Sequence, residues 1–104
     1  MPEFIFAYHG GTTPDTPEEG AKAMEAWGKW FEDMGGAVVN GGNPVGQSLT
    51  VSGSGVVEGG GPNPISGYTI VRAETAEAAC DLASGCPMVV DGSGSVEVAP
   101  LIEM

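Results

Sequence analysis

A single histidine is the main candidate for acid–base chemistry in this chain of 104 residues. His9 directly follows an apolar, aromatic segment and precedes Gly10 and Gly11, so it stands where a strand end meets a flexible loop. An imidazole exchanges protons near neutral pH, and we therefore name His9 as the candidate catalytic residue. The alternative is a loop histidine that is exposed or holds a structural hydrogen bond, because one titratable residue is a weak signal.

Aromatic side chains are the candidates for an apolar binding surface. Tyr8 ends the first apolar segment, and Trp27, Trp30 and Phe31 recur at helical spacing. Aromatic residues in such a pattern usually form core. If a cavity exists between helix and sheet, we expect Tyr8, Trp27 and Trp30 to form its walls.

Two polar residues are candidates for orienting a ligand. Arg72 is the only arginine and lies in an apolar segment, where its guanidinium could hold a carboxylate through two hydrogen bonds. Asn40 ends another short apolar segment and could help to orient the same ligand. The alternative for Arg72 is a cross-strand ion pair with Glu97 or with an acid on a helix.

The sequence predicts neither a cofactor nor a metal site. Glycine-rich stretches at 59–61 and 92–94 lack the other residues of a dinucleotide-binding motif or a P-loop. Cys80 and Cys86 are the only cysteines, and with one histidine they cannot complete a zinc site. Asp91 has no neighbouring acids at calcium-loop spacing.

The charge balance excludes two classes of partner. Fourteen acidic residues face three basic ones, which gives a formal net charge of −11. Such a surface repels phosphate groups, so we expect no binding to nucleic acid or to anionic membranes. No apolar run approaches the roughly 20 residues that a membrane helix needs. The first residues lack the pattern of a signal peptide, and we expect a cytoplasmic protein.

Local patterns predict the elements that position these residues. Thr16 and Pro17 are typical of a helix start, and Gly35 and Gly36 of a helix end. A second, alanine-rich helix is predicted from Thr75 as N-cap to about residue 84. Strands are predicted at 4–8, 37–40, 67–73 and 96–102, with a hairpin at 48–51 and 56–57 and a turn at 86–88. Pro100 predicts that its end of the last strand lies at an edge or a bulge.

This order of elements predicts one α+β domain over residues 1–104. It corresponds to a ferredoxin-like split βαβ fold with an inserted hairpin, a mostly antiparallel sheet and two helices on one face. The first strand is apolar on both faces, whereas two helices can cover only one. We therefore predict a homodimer in which the uncovered sheet faces meet.

Several short motifs resemble those of one known family. They are a GY-strand at 67–73, an alanine-rich helix at 76–83, a G-C-P turn at 85–87, an S-V-E-V strand at 95–98, and the sequence WGKW at 27–30. In this order, over nearly the whole chain, they resemble the YCII-related (DGPF-type) proteins. The resemblance implies a dimeric α+β barrel.

The chain departs from that family at positions that bear on function. The Asp-Gly-Pro-Phe loop that names the family is replaced by residues 58–64, EGGGPNP. A branch of the family has a proposed His–Asp site with a histidine early in the first helix; this sequence has Met24 near that place, with Asp33 as a possible acidic counterpart. Many relatives have arginine after the VEV strand, where this chain has Ala99. A specific activity is therefore not transferred to this chain.

Three functions are consistent with these sequence motifs and with the family resemblance. The first is binding of a small organic molecule in a pocket between sheet and helices. The second, by analogy with the wider superfamily, is a cofactor-free enzyme of isomerase, dehalogenase or oxygenase type with His9 as acid or base. The third is a structural or accessory interaction protein.

Overall fold

The computed structural model describes residues 1–11 and 14–103. Within them, short loops join strands, helices and one 3-10 turn. In chain order these are β1 (Glu3–Gly10), α1 (Pro17–Met34), the 3-10 turn (Gly35–Ala37), β2 (Val38–Asn40), β3 (Leu49–Ser52), β4 (Gly55–Glu58), β5 (Ile65–Arg72), α2 (Ala76–Ala83), α3 (Pro87–Val90) and β6 (Gly94–Pro100).

Four of these strands form one antiparallel sheet, in the order β2-β5-β1-β6. The two halves of a split βαβ motif interleave in this way, so the prediction of a ferredoxin-like α+β fold is confirmed. Strand β1 lies in the centre, where Tyr8 faces Gly67 of β5 and Val96 of β6. Strand β6 is an edge strand, as Pro100 predicts.

Helix α1 begins and ends at the predicted residues. Thr16 is the N-cap, and its hydroxyl oxygen accepts from the Glu19 backbone N–H at 3.1 Å. In a capping box, the Glu19 carboxylate would accept from the backbone N–H of the N-cap residue, Thr16. Here it accepts instead from the N–H of Asp15, one residue earlier, at 3.1 Å. Gly35 ends the helix with a φ of 53°. No helix in the described ranges is both long and apolar enough to cross a bilayer.

Alternation along β1 separates the two faces of the sheet. Phe4, Phe6 and Tyr8 are buried beneath the helices, and the Phe6 ring stacks on Trp30 with centroids 6.2 Å apart. The intervening Ile5, Ala7 and His9 are only partly buried. The first strand is apolar on both faces, and in the single chain it is buried on the helix side alone. We call the other side, which carries His9, the open face.

Element boundaries differ from the prediction near the C-terminus. The predicted turn at 86–88 is the start of α3, a helix of one turn whose N-cap is Cys86 and whose first residue is Pro87. One turn is too short to show a hydrophobic period in the sequence. Strand β6 spans Gly94–Pro100, so Leu101 and Ile102 lie beyond the strand.

The β3–β4 hairpin pairs with no strand of the main sheet among the described residues. In its register, Leu49 and Val51 share a face with Val56, and these side chains are 67%, 75% and 66% exposed. We call residues 49–58 the arm. The radius of gyration is 14.8 Å, against about 13 Å for a compact chain of this length. The larger radius agrees with an arm that extends away from the main sheet, and the exposed side chains show that its apolar face lies in solvent.

Candidate ligand cleft

A large cleft lies on the helix side of the sheet, beside the end of β1. Its volume is about 1480 Å³. Helix α1 forms one wall, residues 41–44 form another, and residues of α3 line the end beside Gly10 and Gly11. Ligand clefts occupy similar positions in many folds, at the junction of a sheet with a helix.

Aromatic rings form the apolar wall of the cleft. Trp27 meets Tyr8 edge to face at 5.2 Å and Trp30 at 5.5 Å, measured between ring centroids. Trp30 is buried, and its indole N–H donates to the Leu82 carbonyl oxygen (2.9 Å), which fixes that ring. Trp27 is half-buried and lines the cleft, so its ring can contact a bound molecule. The structure thus brings Tyr8, Trp27 and Trp30 together.

A chain of hydrogen bonds forms the polar part of the same wall. The Tyr8 hydroxyl donates to Thr69 Oγ1 (2.6 Å), and the Thr69 hydroxyl donates to the Gly41 carbonyl oxygen (3.0 Å). Thr69 is fully buried, and all three residues line the cleft. Burial raises the pKa of Tyr8 to about 12, against the smaller opposite effect of the Thr69 hydrogen bond. Tyr8 is therefore a neutral phenol at physiological pH.

Hydrogen bonds to their backbone groups hold residues 41–44 in place. Gly42 has a φ of +69°, and a Cβ atom there would overlap the carbonyl group of Tyr68. The Asn40 side-chain oxygen accepts from the Gly42 N–H at 2.9 Å, and the Asn43 carbonyl oxygen accepts from the Tyr68 N–H at 3.2 Å. Asn40 is exposed and supports this wall from its side-chain oxygen, while it is absent from the lining of the cleft.

The candidate catalytic residue, His9, lies on the open face, away from the cleft. Its Nε2 is 2.9 Å from Glu97 Oε1, and its Nδ1 is 3.0 Å from the Asn63 carbonyl oxygen and 3.2 Å from that of Pro64. All three partners are oxygen acceptors, so a ring nitrogen pairs with its partner only when that nitrogen carries the hydrogen. The imidazole is 13% exposed and joins the loop before β5 to the sheet.

Arg72 lies at the opposite end of β5 from the cleft. It is exposed and faces Glu3 across the strand pair, whereas Tyr8 faces Gly67, five residues away. At about 3.4 Å per residue, this is roughly 17 Å along the sheet. The alternative pairing of Arg72 with Glu97 is wrong, because β6 lies beside β1 and Glu97 binds His9.

Acidic side chains are more frequent than basic ones around the cleft. The carboxylates are Asp15, Glu19, Asp33, Asp81 and Asp91, and the amines are Lys22 and Lys29. Hydrogen bonds from Ser93 hold the pKa of Asp91 below its usual range. In residues 1–11 and 14–103, no group of three or more acidic, histidine or cysteine side chains is placed to hold a metal ion.

Two site residues were not anticipated from the sequence. Thr69 stands in the middle of an apolar strand, and Gly42 in a glycine–glycine pair before Asn43 and Pro44. A hydroxyl in an otherwise apolar strand is a signal for a buried hydrogen bond. Met24, which the family resemblance places near a helix histidine, is 78% exposed and does not line the cleft.

The fold and the cleft define a ferredoxin-like α+β protein with an aromatic-walled cleft between its sheet and its helices. Among solved structures, the chain is similar to 5-chloro-2-hydroxyhydroquinone dehydrochlorinase from Burkholderia phenoliruptrix AC1100, in complex with 2,5-dihydroxybenzoquinone. The TM-score is 0.60 over 100% of this chain and 96% of that one, with 13% identity. At this identity the likeness shows the fold alone. No family model and no curated protein matches the sequence.

The buried hydroxyl and thiol near the cleft predict a loss of stability at alkaline pH. Burial raises the pKa of Tyr8 from 10.0 to about 12, and that of Cys86 above 9.0. The folded chain therefore holds protons that the unfolded chain releases, so the free energy of unfolding falls as the pH rises. The Tyr8 contribution, about 3 kcal/mol, is complete below pH 10 and is lost as the pH rises through the folded pKa of Tyr8.

Urea unfolding at a series of alkaline pH values measures this loss. Tyr8→Phe has no phenol to ionise at that position, and its stability should fall less steeply above pH 10 than that of the wild type. Cys86 still titrates in this variant and accounts for the remaining decrease. Equal slopes for the two proteins would contradict the assignment to Tyr8.

Proposed function

We propose that this protein binds a small organic molecule with a flat, apolar body in the cleft beside Tyr8. The single observation that carries the proposal is the aromatic wall, in which the half-buried Trp27 stands edge to face against Tyr8 next to the Tyr8–Thr69 hydrogen bond. A ring that stacks there gains apolar contact while one polar group stays within reach. The similar solved structure carries 2,5-dihydroxybenzoquinone, which is a flat ring.

Binding is tested with hydroquinone as the probe and the indole N–H signals of Trp27 and Trp30 as the readout. We expect both signals to shift on addition of hydroquinone, and cyclohexane-1,4-diol, which lacks a flat ring, to bind more weakly. Trp27→Leu should weaken hydroquinone binding about tenfold, as followed on the Trp30 signal, because it removes a stacking surface. Met24→Ala, on the exposed side of the same helix, is the matched control and should bind as the wild type does. Absence of any shift in the wild type would refute the proposal.

A cofactor-free enzyme is the second candidate, favoured by the similar structure being that of a dehydrochlorinase. For His9 to act as its acid or base, a ring nitrogen must be released from its present acceptor. Glu97 is 69% exposed, and its side chain can leave the ring without a movement of the backbone, whereas the other two partners are backbone carbonyl groups. A substrate for His9 would then bind on the open face, whereas a substrate in the cleft would not reach it.

We also propose that the chain forms a homodimer, with the open faces together and each arm on the partner. The accessible surface of 7006 Å² exceeds the roughly 5,400 Å² of a compact monomer of this mass by about 1,600 Å². This excess is close to the area that one protomer of an obligate dimer buries. The arm joins the open face through the loop that contacts His9, so the two uncovered surfaces are continuous.

The mass in solution tests the dimer. We expect light scattering to give twice the 10.5 kDa of the chain. Val51→Lys with Val56→Lys places two charges on the apolar face of the arm and should shift the equilibrium to the monomer by more than tenfold, since desolvating a charge is costly. Met24→Lys adds a charge at an equally exposed site on α1 and should leave the mass unchanged. A monomeric wild type at micromolar concentration would refute the dimer.

Membership in the YCII-related family and a cytoplasmic location belong to the same proposal. The first is supported by the motifs at 67–73, 85–87 and 95–98 together with the ferredoxin-like sheet. The cytoplasmic location stays a prediction. An accessory role would use the same arm and open face on a different protein.

A further inference from the structure

The direction of the hydrogen bonds at the cleft wall is set by its last member. The Gly41 carbonyl oxygen can only accept, so the hydroxyl hydrogen of Thr69 must point to it. Thr69 Oγ1 then accepts from Tyr8, whose own hydrogen is committed at 2.6 Å. Tyr8 Oη accepts no hydrogen bond from the described residues, so a lone pair is left as the only free function of this hydroxyl.

We propose that Tyr8 Oη is a fixed hydrogen-bond acceptor that selects ligands bringing an O–H or N–H donor into the cleft. This inference rests on the proposed function, and it names the chemical class of the ligand. A donor on the ligand pairs with Tyr8 without disturbing Thr69. A ligand that presents only acceptors brings its own lone pair against the lone pair of Tyr8 Oη. The Tyr8 lone pair then has no donor at a buried site, which lowers the affinity of that ligand.

The charge around the cleft restricts the class further. Carboxylates such as Asp15, Glu19 and Asp91 outnumber the amines Lys22 and Lys29 along its lining, and the whole chain carries −11. A ligand with a carboxylate is therefore repelled, whereas a neutral donor is not. The neutral state of Tyr8, whose pKa is about 12, keeps it an acceptor without a full negative charge. The class is that of neutral, flat molecules with a hydroxyl or amine donor.

The experiment compares phenol with anisole, which has the same ring but a methyl group in place of the donated hydrogen. Affinities are read from the indole N–H signals of Trp27 and Trp30. We expect phenol to bind the wild type about tenfold more tightly than anisole, the value of one buried hydrogen bond. Benzoate should bind more weakly than phenol, and this difference should shrink at high salt.

Three variants assign the preference to this hydrogen-bond chain. Tyr8→Phe removes the acceptor, so the phenol-to-anisole ratio should fall to about one. Thr69→Ser keeps both hydrogen bonds and should keep the wild-type ratio. Thr69→Val frees the Tyr8 hydrogen to donate, so acetophenone, which has only an acceptor, should bind more tightly than it does to the wild type. If Thr69→Val does not fold, the comparison of Tyr8→Phe with Thr69→Ser still decides the outcome.

The outcomes separate this inference from the proposed function. A phenol preference that is lost in Tyr8→Phe and kept in Thr69→Ser supports the assignment. If phenol and anisole both bind and their ratio is the same in Tyr8→Phe, the cleft is a binding site but Tyr8 does not select the donor. If neither phenol nor anisole shifts the indole signals of the wild type, the binding function itself is refuted, and the selection by Tyr8 with it.

Discussion

Replacing Phe6 with alanine is expected to lower the free energy of unfolding by about 4 kcal/mol. Phe6 is fully buried at the centre of the sheet, between Thr69 of β5 and Val98 of β6, and its ring stacks on Trp30. Removing the ring loses its transfer free energy and leaves a cavity that the strands on either side cannot fill. A loss of this size is a large share of the 5–15 kcal/mol typical of whole proteins.

Urea unfolding at one fixed chain concentration measures the effect. Phe6→Leu keeps most of the apolar volume and should cost less than half as much, which separates the cavity from a general intolerance of the site. Met24→Ala, at a side chain that is 78% exposed, should change stability by less than about 0.5 kcal/mol. A cost for Phe6→Ala as small as that of Met24→Ala would contradict the central place given to Phe6.

Replacing Gly42 with alanine is expected to destabilise the chain by about 3 kcal/mol and to abolish binding in the cleft. The new Cβ would overlap the Tyr68 carbonyl, and the φ of +69° is one that alanine rarely adopts. Residues 41–44 must move to relieve the overlap. Thr69 and the Gly42 N–H then lose their partners, Gly41 and Asn40.

Gly28 provides the matched control for this substitution. It lies within α1, and a Cβ at that position meets no atom within 4 Å. Gly28→Ala should therefore raise the free energy of unfolding by about 0.5–1 kcal/mol through helix propensity alone. Thermal unfolding and hydroquinone titration of both variants test the pair. A Gly42→Ala protein that binds hydroquinone as the wild type does would show that this segment does not form the cleft wall.

The sequence predicts part of the candidate site, and it also carries a signal that separates Tyr8 from His9. Tyr8 and His9 are neighbours in a strand, and side chains of adjacent strand residues point to opposite faces. Strand alternation by itself therefore excludes a pocket on the helix side that is lined by both residues. The three aromatic candidates Tyr8, Trp27 and Trp30 do lie together, because period 2 in β1 and period 3.6 in α1 place them on the facing surfaces of the two elements.

The remaining candidates depended on strand neighbours that local sequence does not specify. A pairing of Arg72 with Glu97 requires β5 and β6 to be adjacent. The sheet instead places β1 between them, so Glu97 reaches His9. The hydrogen bond from Tyr8 to Thr69 joins residues 61 positions apart and likewise exists only once β1 and β5 pair in this register.

By itself the sequence determined the local elements and their order. Thr16 and Pro17 start α1, alternation defines β1, and the succession of strands and helices admits a split βαβ sheet; these depend on short-range sterics, capping and hydrophobic period. Only the tertiary structure decided that the helices cover the Tyr8 face, that His9 is held by Glu97, and that residues 41–44 close the cleft wall. Those outcomes arise from long-range pairing and burial, where each contact is set by the packing of the whole sheet and not by neighbours along the chain.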